Sequence, residues 1–464
     1  MKNLYVFALL LLLSLYANRS NGQAIQTPIP GVWYAPGNGP GASNTFYVLT
    51  TGGAVIIDTS GKSMAAKHKT WIQAIPGYVA PSFVILTHGH GDHTAGVAQW
   101  KATGNPLVIA QSKQQDLLDY QYRLAGFFNY RNAADGAHPP QVLANPYPGD
   151  SSALPFATVT FDQTYTFTLG GLTFMLLSTP GETEDMLNVW IPELQAYFIG
   201  DNWYTSFPNI GSPRGTRARW ALEYVSSLNL ALGYNALMLL PSHGAPVYGL
   251  QNVAYTLTNY RDAIKNVHDQ VLQCLDAQFG SQNACQNSNG PPTIEWMMQN
   301  IHAPAFFTLG ESYGRVAWGV RAIAQDYIGW FLIPDGSTCA GCVGDAEDLY
   351  PSSGDSSANS LNSVLGTGNN DGFITSSMAA SAVSQGQSVL TALGSPVKAA
   401  RLADLALRNN STDPTALNLK YCALSVLSKA SHTFTEKNWL LYNITAVQTS
   451  LGTTVPNCSF IPGF

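Results

Sequence analysis

The twelve residues ILTHGHGDHTAG, positions 85–96, constrain this chain more than any other stretch. Three histidines and an aspartate, His88, His90, Asp92 and His93, fall within six positions directly behind the apolar run FVIL. Gly89 and Gly91 alternate with them. A buried strand ending in such a turn lets several side chains converge, and glycine relieves the crowding. Imidazole and carboxylate are suitable ligands for zinc. A turn that only hydrogen-bonds to itself does not need four such groups so close together. Ions are scarce elsewhere: 11% of residues are charged and the net charge is −6. No Lys/Arg block interrupts this pattern, so nucleic-acid binding has no electrostatic support.

The surroundings read as an α/β fold. TFYVLTTGGAVIIDTS reads as two strands joined at Gly52-Gly53, SMAAKHKTWIQAI as a helix, and SFVILTH and PLVIAQ as short buried strands. SKQQDLLDYQYRLAGFFNY reads as one helix within an insertion covering about 110–155. Residues 157–201 return to alternation as hairpins and a strand ending at Asp201, and ALMLLPSHGAPV is a last buried strand ending at His243. Polar residues at strand ends are where open α/β sheets place active sites. A long helix follows, with Ile264, Val267, Val271 and Cys274 on one face.

The ends of the chain read differently. Residues 1–24 have the form of a signal peptide: Lys2, then LYVFALLLLLSLYA, then small residues around Gly22 and Ala24. The apolar run is short for a membrane span, so a secreted protein without stable membrane insertion is expected. Cys274, Cys285, Cys339, Cys342, Cys422 and Cys458 then favour disulfides, with CAGC forming a local bridge or contributing to two separate ones. Sequons at Asn409, Asn410, Asn443 and Asn457 permit glycosylation. Residues 25–335 form the expected catalytic domain, and 336–375 a Gly/Ser/Asn-rich linker. Residues 376–464 form an all-α unit for packing or dimerisation, in which Asp413-Pro414 caps a helix start.

HGHGDH resembles the HxHxDH signature of the metallo-β-lactamase superfamily. The resemblance implies an αββα sandwich with a dinuclear metal site on one edge, here followed by the helical domain. Asp201 in FIGDNW and His243 in LPSHGAP match the superfamily's bridging aspartate and last histidine. TPGETEDMLNVW places Glu182 where histidine normally stands. That exchange resembles the alkylsulfatase (type III sulfatase) branch, in which an acidic ligand follows nineteen residues on. Asp201 stands at that spacing, where the branch usually carries glutamate. Glu184 is the alternative ligand, and the spacing favours Glu182. The similarity spans most of residues 45–450, without the branch's sterol-carrier-like third domain. Asn202, Asn209, Arg214 and Gly215 match the branch. Thr205 and Pro208 occupy two of its histidine positions, and Trp318-Gly319 replaces a His-Asn pair.

The resemblance implies two zinc ions. One is assigned to His88, His90 and Glu182, the other to Asp92, His93 and His243, with Asp201 bridging; Asp92 and Asp201 are also the catalytic pair. The three carboxylates and one hydroxide would leave the centre neutral, and a histidine at 182 would leave it one unit more positive. Arg214 and Arg321 are the expected sulfate anchors, because guanidinium matches tetrahedral oxyanions. Asn209 joins them, and Tyr204 is a candidate proton donor. The aromatic residues of FFNY, NWYTSF and GWF line an alkyl pocket or belong to the core. The remaining histidines, His68, His138, His268, His302 and His432, read as surface or hydrogen-bonded residues. The implied function is hydrolysis of a small-molecule alkyl sulfate ester to alcohol and sulfate, by a chain able to form a homodimer. The competing readings are another hydrolase on the same scaffold, acting on a lactone, β-lactam or phosphodiester, and a non-catalytic binding protein that keeps the metals.

Overall fold

The computed structural model describes residues 25–37, 41–135, 157–277, 285, 294–329, 376–452 and 454–464. The expected leader and linker, His138, Cys339, Cys342 and Trp330-Phe331 lie outside the described residues.

Two sheets form the centre. Strands β1 (Gln26–Ile29), β2 (Val32–Ala35), β3 (Thr45–Thr50), β4 (Gly53–Ile57), β5 (Pro81–Ile85), β6 (Leu107–Gln111) and β7 (Val159–Phe161) lie side by side in chain order. The second sheet contains β8 (Thr164–Leu169), β9 (Leu172–Ser178), β10 (Leu187–Ile191), β11 (Ala196–Gly200), β12 (Met238–Pro241) and β13 (Val247–Tyr248), again in chain order. Strands β4 to β7 pair in parallel, as do β11 and β12; the other pairs are antiparallel.

The period-2 alternation of the strands sets the layering. On β4, Val55 and Ile57 join a core cluster shared with the second sheet, whereas Ala54 and Ile56 pack outward with Ile72, Val97 and Trp100. On β11, Ala196 and Phe198 face the shared core, whereas Tyr197 and Ile199 pack with residues of the helices Ala221–Gly233 and Leu250–Ala277. Phe46 meets Phe198 edge-on across the sheets at 5.1 Å. Both faces of each sheet are thus covered, which is why the central strands read as continuous apolar runs. The result is the expected αββα sandwich.

The ends of β4, β5, β11 and β12 deliver Asp58, His88, Asp201 and His243 to one region. Two local expectations change. Strand β7 does not pair with β8; it pairs in parallel with β6, so Asp162-Gln163 crosses between the sheets. The helix expected over the FFNY segment is two helices, Gln114–Arg123 and Ala125–Asp135, because Leu124 leaves the helical region at φ −113° and ψ 25°.

The C-terminal unit consists of the helices Ser376–Thr391, Pro396–Asn409, Pro414–Ala430 and Phe434–Leu451 around a core that includes Leu402, Leu405, Leu419 and Ala423. The Asp413 carboxylate accepts from the Thr415 and Ala416 amides at 2.8 and 3.0 Å and caps the third of these helices. Disulfides join Cys274 to Cys285 and Cys422 to Cys458. The unit docks on the sandwich through Arg315–Glu436 at 2.5 Å and an edge-on contact of Tyr130 with Tyr442 at 5.7 Å. Among the described residues, no helix is long and apolar enough to cross a membrane.

His268 bonds to Tyr327, and His302 and His432 are exposed. His68 is fully buried. Its Nε2–H donates to the Pro36 carbonyl at 3.1 Å, so its Nδ1 accepts from the Thr45 hydroxyl at 3.0 Å. Burial lowers its pKa from 6.5 to about 4, with the Pro36 bond pulling the other way. The unfolded chain therefore takes up this proton first as pH falls. Stability is lost between pH 6.5 and about 4, by roughly 3 kcal/mol in total. His68→Gln should narrow the gap between urea midpoints measured at pH 7 and near pH 4; an unchanged gap would remove His68 as a source of acid sensitivity.

Candidate metal centre

Asp58 follows β4 in a left-handed conformation, φ 57°. Its carboxylate accepts from the Thr87 amide at 2.8 Å, the Ser242 hydroxyl at 2.6 Å and His93 Nδ1 at 2.8 Å. This fixes the tautomer of His93 and turns its Nε2 towards the cluster. His88 is positioned similarly, with Nδ1 3.1 Å from the Thr87 hydroxyl. Thr87 is the first polar residue after the strand, so one short segment sets two rings. Gly89 is closely surrounded: a Cβ there would stand 3.1 Å from Leu117 and 3.2 Å from Asp185, and those side chains would have to give by a few tenths of an ångström. Gly91 is open on that side, so the expected relief of crowding applies to Gly89 alone.

Asn44 holds the His243 loop, its side-chain amide donating to the Pro241 and Gly244 carbonyls at 2.8 and 2.9 Å. Asn202 holds the Glu182 turn: its Oδ1 accepts from the Glu182 amide at 3.1 Å and its Nδ2 donates to the Thr179 carbonyl at 2.8 Å. Gly181 permits that approach, because a Cβ there would lie 2.2 Å from Asn202 Oδ1.

All seven expected ligands converge. Asp201 Oδ2 lies 3.3 Å from His93 Nε2, 3.4 Å from His243 Nε2 and 4.0 Å from His88 Nε2. Asp92 Oδ2 lies 3.3 Å from His243 Nε2 and 3.8 Å from His93 Nε2. His90 Nδ1 is 2.9 Å from His88 Nε2 and 4.0 Å from Glu182 Oε1. Glu184 does not reach the histidines; it is half exposed and pairs with Arg217 at 3.0 Å. Two triads have ligand atoms mutually within 4.8 Å: His88, His93 and Asp201, and Asp92, His93 and His243. His93 belongs to both, whereas the sequence assigns it to one ion.

This donor set fits divalent cations. It contains only nitrogen and oxygen, and Asp201 Oδ1 is buried without a hydrogen-bond partner among the described residues. The electrostatics agree. Burial opposes charge on His93, but Asp201, Asp58 and Asp92 outweigh it and hold the pKa well above the usual value. His243 is raised in the same sense, against burial, by Asp201 and Asp92. The carboxylates thus favour positive charge between them. Burial pushes His88 well down and, with Arg214, takes His90 to about 3, so both rings keep a free lone pair. Burial raises the Glu182 carboxyl, with Arg219 opposing.

A cavity of about 860 Å³ opens beside His90, Asp92 and Glu182. Its lining combines Leu117, Tyr120 and Phe128 with the basic Lys113, Arg214, Arg217 and Arg219 and the acidic Asp92, Glu182, Glu184 and Glu223, and Arg217 pairs with Glu184 and Arg219 with Glu182. Of the four residues expected to bind substrate, only Arg214 lines this cavity. It donates to the Tyr313 hydroxyl at 2.7 Å. Arg321 is a correction: it lies on the helix Val316–Ile328 and its Nε donates to Met298 Sδ at 3.4 Å. Tyr204 is a second correction. Its buried hydroxyl donates to Glu182 Oε2 at 3.3 Å and accepts from the Asn209 amide at 2.8 Å, behind the ligand rather than in the cavity. Asn209 is buried beside it. Phe128 lines the cavity, whereas Trp203 and Phe207 of NWYTSF belong to the core.

Residues 38–243 match the Metallo-beta-lactamase superfamily. This stretch is a metallo-β-lactamase domain. A linear primary-alkylsulfatase of a Pseudomonas species is 26% identical over 408 residues, covering 84% of this chain and 71% of that protein. An alkyl/aryl-sulfatase of Saccharomyces cerevisiae is 24% identical over 53% of this chain and 40% of its own length. Among solved structures, the inverting sec-alkylsulfatase Pisa1 of a Pseudomonas species superposes with a TM-score of 0.71 at 18% identity, over 93% of this chain and 66% of that one. That superposition extends through the helical unit, so the sandwich and its C-terminal helices share one architecture with it. The chain spans about 40–70% of the length of these relatives.

Residues around the site that escaped the sequence reading include Asp58, Tyr313 and Arg219. Asp58 is a lone aspartate in IIDTS, and its only signal is its place at the end of a strand parallel to the one carrying the histidines. Tyr313 supports Arg214 from a distant segment without a motif. Arg219 pairs with Glu182, Nη1 to Oε2, at 2.5 Å. Asp58 and Arg219 carry opposite charges, so together they leave the net charge around the centre unchanged.

Proposed function

We propose that this chain is a metal-dependent sulfuric ester hydrolase that cleaves alkyl sulfate esters with two zinc ions. One observation carries the reading: Glu182 sits beside His90 at a cavity whose lining brings Arg214 together with the apolar Leu117 and Phe128. The alkylsulfatase relatives support the same class. Arg214, braced by Tyr313, receives the sulfate group as a charge-matched donor. Leu117, Tyr120 and Phe128 receive the alkyl part, and Lys113 and Arg217 add to the attraction for an anion. Two divalent ions in the cluster supply Lewis acidity and lower the pKa of water towards roughly 7. The chain's part is to orient: Asp58 holds His93, Asn202 holds the Glu182 turn, and Asn44 holds the His243 loop. With Tyr204 buried behind Glu182, departure of the leaving group rests on electrostatic stabilisation, to which Arg214 contributes. Secretion is part of the same reading, supported by the two disulfides and the leader-like N-terminus.

The test is turnover of a panel containing dodecyl sulfate, a lactone, a β-lactam and a phosphodiester. Sulfate release from dodecyl sulfate should exceed turnover of the others. Turnover of the lactone alone would assign another hydrolase, and bound zinc without any turnover would assign a binding protein.

A further inference from the structure

We infer that Arg219 is the residue that allows an anionic ligand at position 182: Glu182 and Arg219 act as one neutral unit in the place of a neutral imidazole. This rests on the metal-centre reading above. Both side chains are almost entirely buried, with 1% and 4% exposure, and Glu182 Oε2 meets Arg219 Nη1 at 2.5 Å. The Tyr204 hydroxyl donates to the same oxygen. Oε2 is therefore committed to the protein, and Oε1 is the oxygen turned towards His90, at 4.0 Å. The pairing fixes which atom of Glu182 can serve as a ligand. Arg219 is itself held by its backbone amide, which donates to the Ile210 carbonyl at 3.1 Å.

Stability does not account for this arginine. Its Nη2 is buried with no hydrogen-bond partner among the described residues, and burying a guanidinium with an unsatisfied nitrogen is costly. Its effect is local. Asp92 and Asp201 crowd the same cluster as Glu182, so a cation directly behind Glu182 offsets the repulsion among the three carboxylates. With Arg219 holding Oε2, the carboxylate is oriented with Oε1 towards His90. Histidine at 182 would still leave the centre one unit more positive while Arg219 is retained; only the joint exchange of both residues keeps the charge. Arg219 is a positioning residue.

The test is a double-mutant cycle read by zinc affinity, in competition with a chromophoric chelator, and by the visible spectrum of the cobalt-loaded protein. Arg219→Met should weaken zinc binding about 10–100-fold, the range for losing a partner that orients a ligand. Glu182→His alone, which leaves the arginine unmatched, should also weaken it. The double variant Glu182→His/Arg219→Met should recover to within a few-fold of wild type, with a cobalt spectrum shifted by the new nitrogen ligand. If Arg219→Met does not fold, Glu182→Gln/Arg219→Met, which removes both charges, should fold. Additive losses in the cycle, wild-type affinity in Arg219→Met, or an unfolded Gln/Met double variant would overturn the pairing. A wild-type protein that binds no zinc would instead overturn the metal-centre reading beneath it.

Discussion

Asp201→Asn should lower sulfate release on the order of 10³–10⁴-fold and, on the proposed two-zinc reading, reduce the bound zinc from two ions to one, while the fold persists. The size follows from the position of a single oxygen. Among the described residues, Asp201 Oδ2 is the one carboxylate atom within 4.0 Å of three imidazole nitrogens, those of His88, His93 and His243. No other residue of the cluster faces both triads in this way, apart from His93, which belongs to both. Asparagine keeps the shape but removes the charge, and several kcal/mol of charge stabilisation corresponds to a rate loss of this order. The backbone is held separately, since the Tyr224 hydroxyl donates to the Asp201 carbonyl at 2.9 Å, so circular dichroism should be unchanged. Zinc content and rate are measured together. A variant that keeps both ions and a near wild-type rate would remove Asp201 from the bridging position.

The metal cluster was largely legible in the sequence, and the substrate wall was not. The difference lies in how local the information is. His88, His90, Asp92 and His93 lie on one turn, so their convergence follows from adjacency. Glu182, Asp201 and His243 stand at strand ends, and strands are the elements whose ends are easiest to place from apolar runs. Arginines offer no such anchor. Arg321 and Arg219 look alike as letters, yet one projects from a helix to Met298 and the other from a loop to Glu182. Helix register and loop path decide this, and neither has a periodic signature. Tyr204 illustrates the same limit: it follows the bridging acid by three positions, but the chain turns its hydroxyl behind Glu182. Strands β1 and β2 were missed because TPIPGVWYA is short and carries two prolines. The helix Ser376–Thr391 falls inside the expected all-α unit, and its Ala379, Ala382, Val383 and Leu390 pack into that unit's core.

Removing metal should have an equally large effect on the wild-type chain. Without cations, the carboxylates of Asp92 and Asp201 are left facing only imidazoles, and His93 and His243 are driven to carry the balancing protons. Restored metal should also stabilise the fold, by about 2.7 kcal/mol per site at a hundred-fold excess over the dissociation constant. The decisive measurement is sulfate release from dodecyl sulfate by chelator-stripped protein during stepwise return of zinc. The rate should fall to background on stripping, rise with each addition and level off at two zinc ions per chain. Sulfate release that survives complete removal of metal would contradict the account.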